Sequence, residues 1–264
     1  MPREAVTSFT LRVGARSDRG LVRPLNEDSL LLGDGIFGVC DGMGGHEAGE
    51  VASRMCAQIV KEAYDDAAHR PTTALVASYL RSADDAIRTA IHARGGTTVS
   101  GLALVTTDAE TAATEADSMA SEADLQWCVF NVGDSRTYKV ASNGALAQIT
   151  RDHSQVQELV ALGQLTQEQA AVHPRRHVIT RALGAGDAAE ADLWNLPVVA
   201  GERFLVCSDG LSGEVHEETI AEVLSQHADP QQAADRLILL AIESGGRDNI
   251  SVVVVDVLED STAH

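Results

Sequence analysis

Aromatic side chains are scarce in this chain: four Phe, two Trp and three Tyr among 264 residues. That leaves no cluster on which nucleobases could stack, and the core must be filled by Val, Leu, Ile and Ala. Lysine is scarcer still. Lys61 and Lys139 are the only two, so arginine carries nearly all the positive charge in a chain of formal net charge −19. This balance excludes nucleic acid and anionic membrane as general partners, because phosphate surfaces need Lys and Arg to neutralise them. Cys40, Cys56, Cys128 and Cys207 show no CxxC spacing, and the start MPREAVTSF lacks a basic-then-apolar signal pattern. The cysteines therefore read as reduced core residues of a cytoplasmic protein. The longest apolar runs, such as Val252–Val255, fall far short of a membrane span. Nucleophile signatures are missing as well: there is no Cys-x5-Arg loop, Gly-x-Ser-x-Gly, GxxxxGK[ST] or HExxH. Covalent catalysis is thereby disfavoured, which leaves metal-activated water as the nucleophile.

What the chain does have is acid at the edges of apolar runs. Asp41-Gly42 in FGVCDGMGG, Asp209-Gly210 in FLVCSDG and Asp248-Asn249 in RDNISVVVV each border a segment that reads as a buried strand. A fold that gathers strand ends would gather these carboxylates. They would repel one another unless hard divalent cations, which prefer oxygen ligands, held them ionised. The segment Gly20–Asp28 adds Arg23, a planar fork suited to phosphate oxygens. It also adds Glu27 and Asp28, which point to opposite sides of an extended strand. One of the pair is expected at a metal, while the other orients a water or supports the local structure.

Apolar and β-branched runs predict strands near Phe9–Gly14, Ser29–Leu32, Ile36–Cys40, Thr98–Thr106, Trp127–Val132, Arg136–Val140, Ala145–Ile149, Leu193–Val198, Arg203–Cys207 and Ser251–Val257. Helical periodicity marks Glu47–Ala68, Thr72–His92, Glu217–Gln226 and Pro230–Ser244. Helices come in consecutive pairs between blocks of strands. That order predicts an α+β fold of packed antiparallel sheets flanked by helices, not a doubly wound parallel sheet. Two segments interrupt the plan. Residues 106–124 hold six acidic residues and no basic one, as a solvated loop would. Residues 151–184 carry short helical patterns and the cluster Arg175-Arg176-His177. That cluster reads either as an attractor for an anionic substrate, with Arg176 in that role, or as a helix end neutralised by its own arginines.

The ordered set Arg23-x-x-Asn26-Glu27-Asp28, Asp41-Gly42-Met43-Gly44-Gly45-His46, Gly133-Asp134-Ser135-Arg136, Ser208-Asp209-Gly210 and Asp248-Asn249 resembles the metal-dependent serine/threonine protein phosphatases, the PPM or type 2C family. Thr150-Arg151-Asp152-His153-Ser154 and His173-Pro174-x-Arg176 place the likeness in its bacterial branch. The resemblance implies one catalytic domain over residues 8–258, built as a four-layer α-β-β-α sandwich with two central antiparallel sheets, in which 151–184 is a flap. It implies a signalling hydrolase that removes phosphate from phosphoserine and phosphothreonine by attack of a water bridging two Mg2+ or Mn2+ ions. On that pattern Asp41 bridges the ions and the Gly42 carbonyl is a further ligand. Asp209 and Asp248 serve one ion, Glu27 serves the other, and Asp28 holds metal waters. Arg23 grips the phosphate, and Asn249 supports Asp248. A third, weaker ion is implied near Asp134, although its usual partner position is Gly213 here, with Glu214 merely adjacent. The leaving group takes its proton from His46 or from a metal-bound water. The implied partners are phosphorylated proteins, a Ser/Thr kinase among them, met by a monomer that binds neither nucleic acid nor membrane. Two other readings compete: a phosphoprotein-binding pseudophosphatase, with Gly213 marking decay of the site, and a nucleotide phosphodiesterase, which the scarcity of aromatics disfavours.

Overall fold

The structure, a computed structural model, describes residues 9–44, 47–92, 94–107, 125–141 and 144–259. His46 and nearly all of the acidic 106–124 segment lie outside the described residues. The chain order is β1 (Phe9–Asp18), β2 (Asp28–Leu32), β3 (Ile36–Met43), α1 (Glu47–Asp65), α2 (Thr73–Ile91), β4 (Gly96–Thr97), β5 (Val99–Thr106), β6 (Leu125–Val132), β7 (Arg136–Val140) and β8 (Leu146–Gln148). Two short helices follow, α3 (Gln155–Ala161) and α4 (Gln167–Ala171), then β9 (Asp192–Pro197) and β10 (Arg203–Cys207). The last elements are α5 (Asp209–Ser212), α6 (Glu217–Gln226), α7 (Pro230–Glu243) and β11 (Ile250–Glu259).

Two antiparallel sheets result, ordered β1-β11-β10-β7-β8 and β2-β3-β5-β6-β9. The valine run of β11 shows how the sequence dictates the layering. Val252 and Val254 pack with α6 and α7 side chains such as Ile220, Leu237 and Ile238. Val253, Val255 and Val257 face the other way, against Phe37, Leu102, Trp127 and Val129 of the opposite sheet. A strand buried on both faces needs a continuous apolar run instead of an alternating one, and β11 supplies it. On the far side, Cys40, Val99, Ala103, Cys128 and Phe130 pack against Ala52, Cys56, Val60, Leu80 and Ile87 of α1 and α2. The layers are therefore helix pair, sheet, sheet, helix pair, as expected from the order of elements. With so few aromatics, one pair, Trp127 and Phe204, meets edge-on at 5.6 Å between the sheets.

All four cysteines are buried and unpaired. Among the described residues, no helix is long and apolar enough to cross a membrane. The sequence reading missed two short elements, β4 and α5. A two-residue strand and a single helical turn are too short to show a period.

Candidate active site

The acids converge at one end of the sandwich, where strands of both sheets finish. Asp28 opens β2 and pairs with Asp41 near the end of β3, so the antiparallel register sets the two acids directly opposite each other. Asp209 follows β10 as the first residue of α5, and Asp248 lies two residues before the start of β11, the neighbour of β10. Asp134 lies in the turn between β6 and β7, the point at which the chain crosses from one sheet to the other. Hydroxyl pairs fasten the sheets at this end: Thr98 Oγ1 lies 2.7 Å from Ser135 Oγ, and Ser100 Oγ lies 2.9 Å from Thr137 Oγ1.

Two adjoining cavities open here. One, of about 550 Å³, has Arg23, Glu27, Asp41, Gly42, Asp209 and Asp248 in its wall. The other, of about 520 Å³, is bordered by Asp134, Arg136, Asp152 and Asp209. Arg176, His177, Gly213, Glu214 and Arg247 line both. Arg23, Glu27, Asp41, Gly42, Asp134, Arg176, Asp209 and Asp248 each line one or both of these cavities, and Asp28 is buried behind them. Asp28 and Glu27 separate as an extended strand requires. Glu27 faces the cleft, while Asp28 turns inward, where Ser208 Oγ donates to its Oδ2 at 2.9 Å.

Crowding leaves an electrostatic mark on these acids. Burial, and then the charges of Asp28, Asp209, Asp134 and Asp248, push the Asp41 carboxyl well above its usual range. Burial lifts Asp28 to about 7, against hydrogen bonds from Ser251 and Ser208 that lower it. Asp134 is raised by burial and by Asp209 and Asp152. The oxygens Asp28 Oδ1 and Asp134 Oδ1 are buried without a hydrogen-bond donor. Among the described residues the acids do not close into a ready cage around one point; they share a cleft and repel one another across it. Orphaned acceptors and an all-oxygen donor set fit hard divalent cations, and neither Cys nor His is needed. A guanidinium also sits on the rim: Arg23 Nη2 donates to Asp248 Oδ2 at 2.7 Å.

A family model described as Protein phosphatase 2C matches residues 25–240. The chain belongs to the protein phosphatase 2C family. It is 40% identical over 260 residues to the serine/threonine protein phosphatase PstP of Mycobacterium tuberculosis, an alignment that takes in 97% of this chain and 46% of PstP. The chain thus spans about half the length of that relative. Listeria monocytogenes serine/threonine phosphatase stp is 33% identical over 252 residues, covering 91% of this chain and 94% of stp. Among solved structures, the M. tuberculosis PstP/Ppp phosphatase superposes with a TM-score of 0.79 at 37% identity, covering 94% of this chain and 99% of that one. The catalytic domain of PstP in complex with two manganese ions superposes with a TM-score of 0.77 at 36% identity, covering 95% and 100%. Both share the antiparallel sheets and flanking helices of this α+β fold.

Within this protein phosphatase 2C chain, several residues hold the site together through contacts that the sequence did not reveal. Asn249 was expected only to support Asp248. Its backbone N–H does donate to Asp248 Oδ1 at 2.8 Å, but its side chain does more. Nδ2 donates to the carbonyls of Arg19 and Leu25 at 2.9 and 2.8 Å, and Oδ1 accepts the Glu27 N–H at 2.8 Å. One amide thus ties down the whole segment that presents Arg23 and Glu27. His153, named above only as part of the Thr150–Ser154 motif, holds a turn of the site. Its Nδ1 accepts the Gly133 N–H at 3.0 Å, and its backbone N–H donates to the Gly133 carbonyl at 2.8 Å, fixing the turn that bears Asp134. Arg136 reaches Asp152 through Nε at 3.0 Å and Nη2 at 2.7 Å, anchoring the start of the 151–184 segment. Buried Asp84 of α2 accepts the Gly184 N–H at 2.6 Å and so anchors its end. Glu214, left open as a substitute ligand, is committed to Arg247 by two bonds of 2.7 Å.

Proposed function

We propose that this chain is a metal-dependent phosphatase of phosphoserine and phosphothreonine in proteins, acting through Asp41, Asp209, Asp248, Glu27, Asp28 and Arg23. The observation that carries the reading is the meeting of Glu27, Asp41, Asp209 and Asp248, drawn from four separated stretches of sequence, in one cleft with a guanidinium on its rim. The manganese ions in the PstP catalytic domain support the same choice of cofactor, Mg2+ or Mn2+, two ions in the core.

Asp41, Asp209 and Asp248, with Glu27 and the Gly42 carbonyl, are the groups that would hold the cations. When bound, the cations supply charge compensation and Lewis acidity toward water and phosphoryl oxygen. The chain's own residues do the rest. Asp28, behind the cleft and held by Ser208, would accept a hydrogen bond from a water in the site. Arg23, whose Nη2 meets Asp248, would offer its remaining N–H donors to the phosphoryl oxygens and so offset charge that develops at phosphorus. Arg176, which lines both cavities, meets the substrate from the 151–184 segment, which we read as a flap. A third ion near Asp134 would have to be held without Glu214. The substrates fitting such a site are phosphorylated proteins, a Ser/Thr kinase among them, met by a monomer in the cytoplasm.

The test is hydrolysis of p-nitrophenyl phosphate and of a phosphothreonine peptide with Mn2+. The reading predicts turnover abolished by EDTA and in Asp209→Ala. Turnover that survives chelation, or none in the wild type, would refute it.

A further inference from the structure

We propose that Arg247, clamped by Glu214, forms with Arg176 a second anion subsite beside the one for the scissile phosphate. It would take a carboxylate or a further phosphoryl group carried by the same phosphoprotein. The inference rests on the function proposed above.

The clamp is the first observation. Glu214 Oε1 accepts from Arg247 Nε at 2.7 Å and from its backbone N–H at 3.2 Å, while Oε2 accepts from Nη2 at 2.7 Å. The Glu214 side chain is only 5% exposed, whereas that of Arg247 is 68% exposed. A nearly buried carboxylate holding an exposed guanidinium by its Nε edge does little as a surface ion pair. What it does is fix the plane of the fork. Nη1 and the second N–H of Nη2 are left unused, and these are the donors that match two oxygens of a carboxylate or phosphate. The Arg247 hydrogen bond also lowers the Glu214 pKa, so the clamp stays ionised at neutral pH.

The surroundings are the second. Arg247 and Arg176 line both cavities, whereas Arg23 lines only the first. Arg136, the other arginine of the second cavity, is already taken by Asp152 and Tyr138. Among the described residues Arg176 forms no ion pair. In a chain of net charge −19, two arginines facing a cleft beside Asp209 stand out against an anion-repelling surface. The turn that presents Arg247 is shaped for the clamp. Gly245 and Gly246 take φ of 147° and 53° after α7, and a Cβ on Gly245 would come within 3.3 Å of Glu214 Oε2.

The experiment compares kcat/KM, with Mn2+, for three phosphothreonine peptides of equal length: one with neutral flanks, one with glutamate flanks, and one with a second phosphoserine. The ratio of anionic to neutral peptide is taken within each variant, so loss of folded enzyme cancels. Wild type is expected to favour the anionic peptides by about tenfold, the worth of one charge-assisted pair. In Arg247→Ala the ratio falls close to one. Arg247→Lys and Glu214→Gln, which keep the charge but lose the fork or its clamp, fall between. A preference shared by glutamates marks the ligand as a carboxylate; one confined to the second phosphoserine marks it as phosphate. No preference in the wild type, or the same ratio in Arg247→Ala, overturns the subsite while the phosphatase reading stands. Failure of the wild type on every peptide, the neutral one included, sinks the phosphatase reading and the subsite with it.

Discussion

Asn249 accepts the Glu27 N–H through Oδ1 at 2.8 Å, across 222 residues of sequence. Its two amide protons go to Arg19 and Leu25 on the same segment. The residue that neighbours one proposed metal ligand therefore positions another, and the arginine between them. Replacing it by Ala leaves one donor and two acceptors without partners in a site that is almost fully buried. Asn249→Ala is expected to lose about 2–3 kcal/mol of stability in urea denaturation. It should also lower kcat for p-nitrophenyl phosphate, because Arg23 is no longer held.

The crowded acids set metal-free stability against metal binding. With burial, and then the charges of Asp28, Asp209, Asp134 and Asp248, all raising its pKa, an ionised Asp41 destabilises the metal-free fold. Asp41→Asn removes one charge from that group. Its Tm in EDTA is expected to exceed that of the wild type. Saturating Mn2+ should raise the wild-type Tm by mass action and leave the variant nearly unmoved. A variant less stable than wild type in EDTA would contradict this.

Arg23 is expected to act on the transition state more than on ground-state binding. Arg23→Ala should lower kcat/KM by about 10²-fold, mostly in kcat, with Arg23→Lys recovering only part because it offers a charge but no fork. Steady-state kinetics on p-nitrophenyl phosphate decide the split.

His153 gives a pH dependence of known sign. Burial lowers its pKa from 6.5, against the opposing effect of Asp192, and Nδ1 must stay unprotonated to accept from Gly133. The unfolded chain takes up a proton as pH falls below 6.5 and the folded one does not. The neutral ring's contribution is therefore complete above 6.5 and is lost as pH falls toward the lowered folded value. The wild-type Tm should drop more steeply than that of His153→Asn in this window.

Much of this was legible in the sequence, and the reasons are local. The valine run of β11 and the paired amphipathic helices announced buried strands and a layered α+β fold. Asp41, Asp209 and Asp248 stood out because each ends an apolar run. What the residues alone did not reveal were the cross-chain hydrogen bonds. His153 meets Gly133 across 20 residues and Asn249 meets Leu25 across 224, separations that no periodicity encodes. Glu214 was visible only as a neighbour of Gly213, and its partner Arg247 lies 33 residues further on. The conformation of Gly42 is similar in kind. A Cβ there would come within 2.2 Å of the Gly49 carbonyl oxygen, a packing constraint between β3 and α1 and not a turn signal.

The most direct measurement is anomalous diffraction from manganese-loaded crystals. The account predicts two Mn2+ ions in the cleft, with Asp41 in contact with both, Asp209 and Asp248 at one, and Glu27 at the other, directly or through water. Manganese bound elsewhere, or a fully active enzyme with none beside Asp41, would contradict it.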